Sequence, residues 1–266
     1  MQPAHLDLDP RTREFYVRTM TVLAEAGVPF LVGGAFALAA YTEIERHTKD
    51  VDFFLKRSDL DPALEALSRA GYRTEIPFPH WLAKAHGEDC FADLIFNSGN
   101  GVARVDDGWF RHATEAQVLG IPVRVCPPEE MIWSKCYVQE RERYDGADIA
   151  HLILARGDSF DWRRLLDRFG DHWRLILSQL ILFGFCYPSE RGKVPAWVLR
   201  ELTGRLEAEV DAPAPAEKVC LGTFLSREQY QADTGLRGYA DARVRPAGPM
   251  SAEEVAHWTA CIEPHK

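Results

Sequence analysis

The six cysteines of this 266-residue chain, at positions 90, 126, 136, 186, 220 and 261, stand far apart, with no C-x-x-C pair and no His–Cys cluster. That spacing offers neither a zinc site nor a disulfide framework. Long apolar runs are missing too. The longest, from about Trp173 to Phe185, is interrupted by Arg174, Ser178 and Gln179. It is too short to span a bilayer and reads as a buried helix, so no membrane partner is expected. The opening MQPAHLDLDP carries acids and no apolar stretch, which predicts no secretory or transit signal, reduced thiols and a cytoplasmic location. Basic residues are also in deficit: 31 Lys and Arg against 40 Asp and Glu leave a formal charge of -9. Proteins that coat nucleic acid are normally basic, so that class loses ground, while a local RNA contact survives.

What is present is an ordinary globular composition, 46% hydrophobic, over a length that fits one large domain or two modest ones. The first half alternates helical and extended patterns. Helices are predicted over 11–26, over 35–41, from Ser58 or Asp59 to about Ala70, from the Pro127-Pro128-Glu129-Glu130 start to about Gln139, and over 146–155. Strands are predicted around Phe30–Val32 and at Val51–Leu55, Tyr72–Ile76, Trp81–Ala85, Cys90–Phe96 and Ile121–Val125. From Trp162 the pattern turns helical, and Asp211–Glu217 is a Pro/Ala linker. The expected fold class is α+β: a small mixed sheet flanked by helices, followed by a mostly helical C-terminal region and a tail. The expected divisions are a first domain over 1–156, a helical region over 157–210, the linker over 211–217, and a tail over 218–266. The tail is expected to pack back on the body, because Phe224, Leu225, Tyr230 and Tyr239 would otherwise be exposed.

The window LVGGAFALAAYTEIERHTKDVDFFL, Leu31 to Leu55, carries the chemistry. In a strand, Asp50 and Asp52 point to one face while Val51 and Phe53 point to the other. Two neighbouring carboxylates repel each other, and a divalent cation between them removes the repulsion; Mg²⁺ suits oxygen ligands and is often shared with phosphates. Gly33-Gly34 lies between a strand and a helix, where glycine permits close backbone approach and the helix N-terminus favours a phosphate. Asp93 is a lone acid in the apolar run Cys90–Phe96, expensive unless something binds it. If that strand pairs beside Asp50 and Asp52, a third carboxylate joins them.

These elements resemble the nucleotidyltransferase superfamily of polymerase-beta type: a glycine pair, a short helix, a D-x-D strand, and one more acid on a neighbouring strand. Thr48-Lys49-Asp50-Val51-Asp52-Phe53 is similar to the form found in small bacterial nucleotidyltransferases, including toxin-type and antibiotic-modifying enzymes. The resemblance covers roughly residues 20 to 155. It implies Asp50, Asp52 and Asp93 as catalytic and metal-binding residues, two Mg²⁺ ions (with Mn²⁺ as a substitute), and an NTP such as ATP as substrate. It implies Gly33 and Gly34 as phosphate holders. Lys135 would touch the triphosphate, and Arg141 and Arg143 would line the same wall. Lys49, Asp145 and Asp148 would stand behind the primary contacts. The implied reaction moves a nucleoside monophosphate to an acceptor hydroxyl on RNA, on a protein or on a small molecule, releasing pyrophosphate. A toxin-type relative would have a cognate antitoxin.

Each residue also has a plainer reading. Lys135 can lie along a helix surface. Asp145 and Asp148, three apart, can share a helix face or cap one. Arg163, Arg164, Arg168 and Arg174 read as a solvated helix face, and they are the best local candidate for an RNA patch. A non-catalytic nucleotide-binding or interaction module on the same fold is the alternative to an enzyme.

Overall fold

The computed structural model describes residues 8–46 and 48–260. The chain divides into two compact units, one ending at Pro127 and one beginning at Pro128.

The first unit opens with α1, Pro10–Glu25, capped by Asp9, whose carboxylate accepts from the backbone N–H groups of Arg11 and Thr12. It continues with β1 (Leu31–Val32), α2 (Gly34–Thr42), β2 (Asp50–Phe54) and α3 (Leu60–Arg69). Next come β3 (Arg73–Phe78), β4 (Leu82–His86), β5 (Phe91–Ile95), α4 (Asp107–His112), β6 (Thr114–Val118) and β7 (Ile121–Val125). The strands form one mixed sheet in the order β3-β4-β5-β2-β1-β7-β6. The predicted alternation appears in β2: Val51 and Phe53 are fully buried, while Asp50, Asp52 and Phe54 lie on the other, partly open face. Tyr16, Met20 and Leu23 of α1 and Leu60, Ala63 and Leu67 of α3 are fully buried as well, placing both helices in the core.

Two elements of this unit escape the sequence patterns. Strand β6, TEAQV, has β-formers only at its two ends, Thr114 and Val118, and is held by antiparallel pairing with β7. Helix α4 is only six residues long, and Asp106 caps it through the Gly108 and Trp109 N–H groups. It sets the buried Trp109 ring flat against Phe54, with centroids 5.2 Å apart.

The second unit contains α5 (Pro128–Lys135), α6 (Gly146–Arg156), α7 (Trp162–Phe169), α8 (Trp173–Cys186) and α9 (Ala196–Val210). Helix α5 ends at Lys135 rather than continuing to Gln139. It packs against α6 and α7, and α6 packs against α8. The packing therefore divides at residue 127, not at the expected 156, because α5 and α6 bury their apolar residues among the later helices. Residues 211–217 are exposed. Beyond them, β8 (Val219–Cys220) pairs in parallel with β9 (Ala240–Asp241). Phe224 is buried with its ring 5.2 Å from that of His172, and the Gln139 N–H donates to the Leu225 carbonyl at 3.2 Å. Tyr239 stays substantially exposed.

The four arginines expected on a solvated face of this unit are all engaged by acids. Arg164 and Arg168 are largely buried. Arg164 pairs with Glu129 at 2.7 Å and with Glu130, and Arg168 reaches Glu130 at 3.2 Å. Arg163 pairs with Glu201 at 2.9 Å and lies over Trp197, and Arg174 pairs with Glu209. Glu129 and Glu130, in the first turn of α5, are buried and meet these guanidinium groups. The four arginines named as the best local candidate for an RNA patch are thus each paired with a carboxylate, with Arg163 and Arg174 still exposed.

Candidate functional site

The site is assembled by strand register. Parallel pairing of β2 with β5 sets Asp52 directly opposite Asp93, with Asp50 opposite Phe91. The condition attached to Asp93 in the sequence is met, and the third carboxylate shares a sheet face with the other two. Thr48 orients Asp50, its hydroxyl donating to Asp50 Oδ1 at 2.5 Å.

The glycine pair closes on the same strand. The Gly33 N–H donates to the Asp52 carbonyl at 2.8 Å, extending the antiparallel ladder of β1 and β2. Gly34 opens α2 with φ +53°, and a Cβ there would stand 1.7 Å from Asp52 Oδ2. Glycine is required on both counts: the conformation is left-handed and the carboxylate occupies the side-chain space. The far end of α2 is tied to the end of β7 by Tyr41, whose hydroxyl donates to the Cys126 carbonyl at 3.0 Å. The helix N-terminus and the D-x-D acids are therefore fixed by one backbone frame.

Asp93 has a cationic partner that sequence reasoning missed. Lys84 lies opposite it across the antiparallel β4–β5 pair, and its ammonium donates to Asp93 Oδ1 at 2.7 Å. Only 21% of the Lys84 side chain and 13% of the Asp93 side chain are exposed, so solvent screens this pair weakly. Burial pushes the Asp93 carboxyl above its ordinary range and the charge of Asp50 adds to this, while Lys84 pulls the other way. The available signal was a lysine between two alanines in a predicted strand, but its partner depends on register. Lys49 is exposed beside Asp50.

Asp50, Asp52 and Asp93 present only oxygen donors, the chemistry that Mg²⁺ and Mn²⁺ accept. Among the described residues, no three His, Cys, Asp or Glu side chains converge as a metal shell. The arrangement still fits Mg²⁺, which is commonly held by one or two carboxylates together with substrate phosphates. The close seat of Gly34 against Asp52 leaves the helix N-terminus next to that carboxylate, where such a phosphate would lie.

The remaining implied contacts belong to the second unit. The Lys135 ammonium donates to Asp145 and Asp148, each at 2.8 Å, and Arg143 adds bonds of 3.3 Å to both oxygens of Asp145. Burial opposes ionisation of Asp145, but Lys135 and Arg143 together hold its carboxyl below the usual range. Arg141 is exposed. In this geometry Lys135 neutralises two acids of the α6 N-terminal region. Lys135→Met will leave those carboxylates facing each other without their shared cation. The expected loss is about 3 kcal/mol in urea denaturation; an unchanged midpoint would remove that role.

Among known proteins, the model of an uncharacterised nucleotidyltransferase family matches residues 13–182. No curated protein matches the chain. Among solved structures, the antibiotic-resistance factor ANT(2'')-Ia in solution is 16% identical, with 76% of this chain and 98% of that chain covered and a TM-score of 0.43. The lincosamide antibiotic adenylyltransferase LnuA, bound to lincomycin, is 17% identical, with 53% and 94% covered and a TM-score of 0.38. An antigenic nucleotidyltransferase-like protein from Paracoccidioides brasiliensis is 15% identical, with 65% and 93% covered and a TM-score of 0.37. The family match takes in α1 through most of α8, including the glycine pair, the D-x-D strand and Asp93, and by it the chain belongs to the uncharacterised nucleotidyltransferase family.

Proposed function

We propose that the protein transfers a nucleoside monophosphate from an NTP to an acceptor hydroxyl, with release of pyrophosphate. The observation that carries this reading is the register of Asp52 against Asp93, with Gly34 seated on Asp52 at the start of α2. Asp50 and Asp52 are the residues that would hold Mg²⁺. When bound, that ion supplies positive charge to the reacting phosphate and to the departing pyrophosphate. From Gly34 on, the first backbone N–H groups of α2 face the distal phosphates, with the helix dipole adding attraction, while Gly33, whose own N–H is taken by the Asp52 carbonyl, holds the turn that brings the helix start to them. Asp93, one strand across, takes the proton of the acceptor hydroxyl as it attacks phosphorus; burial raises its basicity for this role. Positioning by a rigid sheet supplies the rest.

The chain is acidic overall, and the arginines that suggested an RNA surface are held by Glu129, Glu130, Glu201 and Glu209. These two facts favour a protein side chain or a small molecule over an RNA end as acceptor. Among the described residues no helix is long and apolar enough to cross a membrane. The test is incubation of the protein with each of the four NTPs, labelled at the α-phosphate, Mg²⁺ and a cell extract, followed by separation of RNA, protein and small molecules. Label is expected in the protein or small-molecule fraction. Label confined to RNA would overturn the acceptor reading, and nucleotide binding without label transfer or pyrophosphate release would favour a non-catalytic module.

A further inference from the structure

Lys84 stands between acids of two neighbouring strands and is hydrogen-bonded to the one in the acid cluster. Across β3 its register partner is Glu75, but that carboxylate is taken by His86 at 2.9 Å and by Arg73 at 3.3 Å. On its other side is Asp93, at 2.7 Å. The lysine is also clamped by an aromatic ring, its ammonium lying 3.9 Å from the centroid of Phe91. Phe91 is the residue opposite Asp50 in the β2–β5 pairing. The ammonium is thus fixed by a carboxylate and an aromatic face, both on the strand that borders the D-x-D strand.

Resting on the proposed reading of Asp50 and Asp52 as the metal-holding pair, we propose that Lys84 is a positioning residue that takes the place of a metal ion at Asp93. Its ammonium offsets the Asp93 charge and occupies Oδ1, so the nucleotide-free protein binds a single divalent ion, on Asp50 and Asp52. Asp93 is then held as a proton acceptor rather than shared between two ions. This departs from the two-ion arrangement that the family resemblance implies.

The experiment counts bound Mn²⁺ by the electron paramagnetic resonance signal of the free ion, with full-length protein and no nucleotide. Wild type is expected to bind one ion per chain. Lys84→Met frees Asp93, and a second ion per chain is expected. Lys84→Gln keeps a hydrogen-bond donor near Asp93 without the charge and should also gain the second ion, which covers the case in which the Met variant does not fold. Lys84→Arg keeps the charge and should remain at one. A lysine with only a structural role would leave the count at one in every folded variant, and that result overturns the proposal. Two ions on wild type would overturn it as well. No ion on wild type, with Asp50→Asn changing nothing, would instead bring down the metal reading of Asp50 and Asp52 on which it rests.

Discussion

Turnover of NTP falls by about a thousandfold or more in an Asp50→Asn/Asp52→Asn protein that melts no lower than wild type. The two halves of this expectation come from one piece of geometry. Both side chains project from β2 to its partly open face, while Val51 and Phe53 supply the buried packing, so the exchange leaves the core untouched. Asparagine keeps the oxygen that accepts from the Thr48 hydroxyl. It removes the negative charges that bind a divalent ion, and with them the like-charge repulsion across Asp50, Asp52 and Asp93. A variant that loses activity and stability together would place the two acids in the structural frame instead. Pyrophosphate release and a thermal melt on the same preparation separate the outcomes.

Gly34→Ala is expected to reduce both stability and turnover. At φ +53° a residue with a Cβ costs about 1–3 kcal/mol from backbone strain alone. The new methyl would also stand 1.7 Å from Asp52 Oδ2, far inside contact distance. Either the carboxylate swings away or the start of α2 lifts off the sheet, and both move the phosphate-facing N–H groups relative to Asp52. A displacement of about 1 Å in such a site costs about a hundredfold in rate. Gly27 makes the useful control: it also has positive φ, but a Cβ there meets nothing within 4 Å, so Gly27→Ala should show the backbone loss in denaturation with no matching loss of turnover. Equal effects of the two substitutions on turnover would argue against a role for the Gly34–Asp52 approach.

The parts of this site legible in the sequence were those fixed by local periodicity. Alternation in Asp50–Phe54 assigned two acids to one face and two apolar residues to the core, and the glycine pair marked a strand-to-helix turn; the structure places all of these accordingly. The position of Asp93 depended on a non-local choice, namely which strand pairs with β2, and the sequence could state it only as a condition. Lys84 needed one further pairing, β4 with β5, before its partner was defined. The arginines at 164 and 168 failed for the same reason in helical form. Their carboxylate partners, Glu129 and Glu130, lie more than thirty residues earlier in the chain, and local charge patterning assigns such residues to solvent. Domain division was also non-local. The change from strands to helices near residue 156 is a change of pattern, whereas the packing divides at Pro127/Pro128, where α5 begins to bury its residues against α6 and α7.

On the proposed reading, this chain cleaves an NTP between its α- and β-phosphates and keeps the nucleotide on an acceptor. The most direct measurement follows one NTP carrying distinguishable labels on its α- and γ-phosphates, in the presence of Mg²⁺ and cell extract, with the wild-type protein and with Asp50→Asn/Asp52→Asn. Wild type is expected to leave α-label on an acceptor and γ-label in pyrophosphate, or in the phosphate that extract pyrophosphatase makes from it, and the acceptor label is expected to be absent with the variant. No α-label on any acceptor, or equal acceptor labelling by the variant, would contradict this reading.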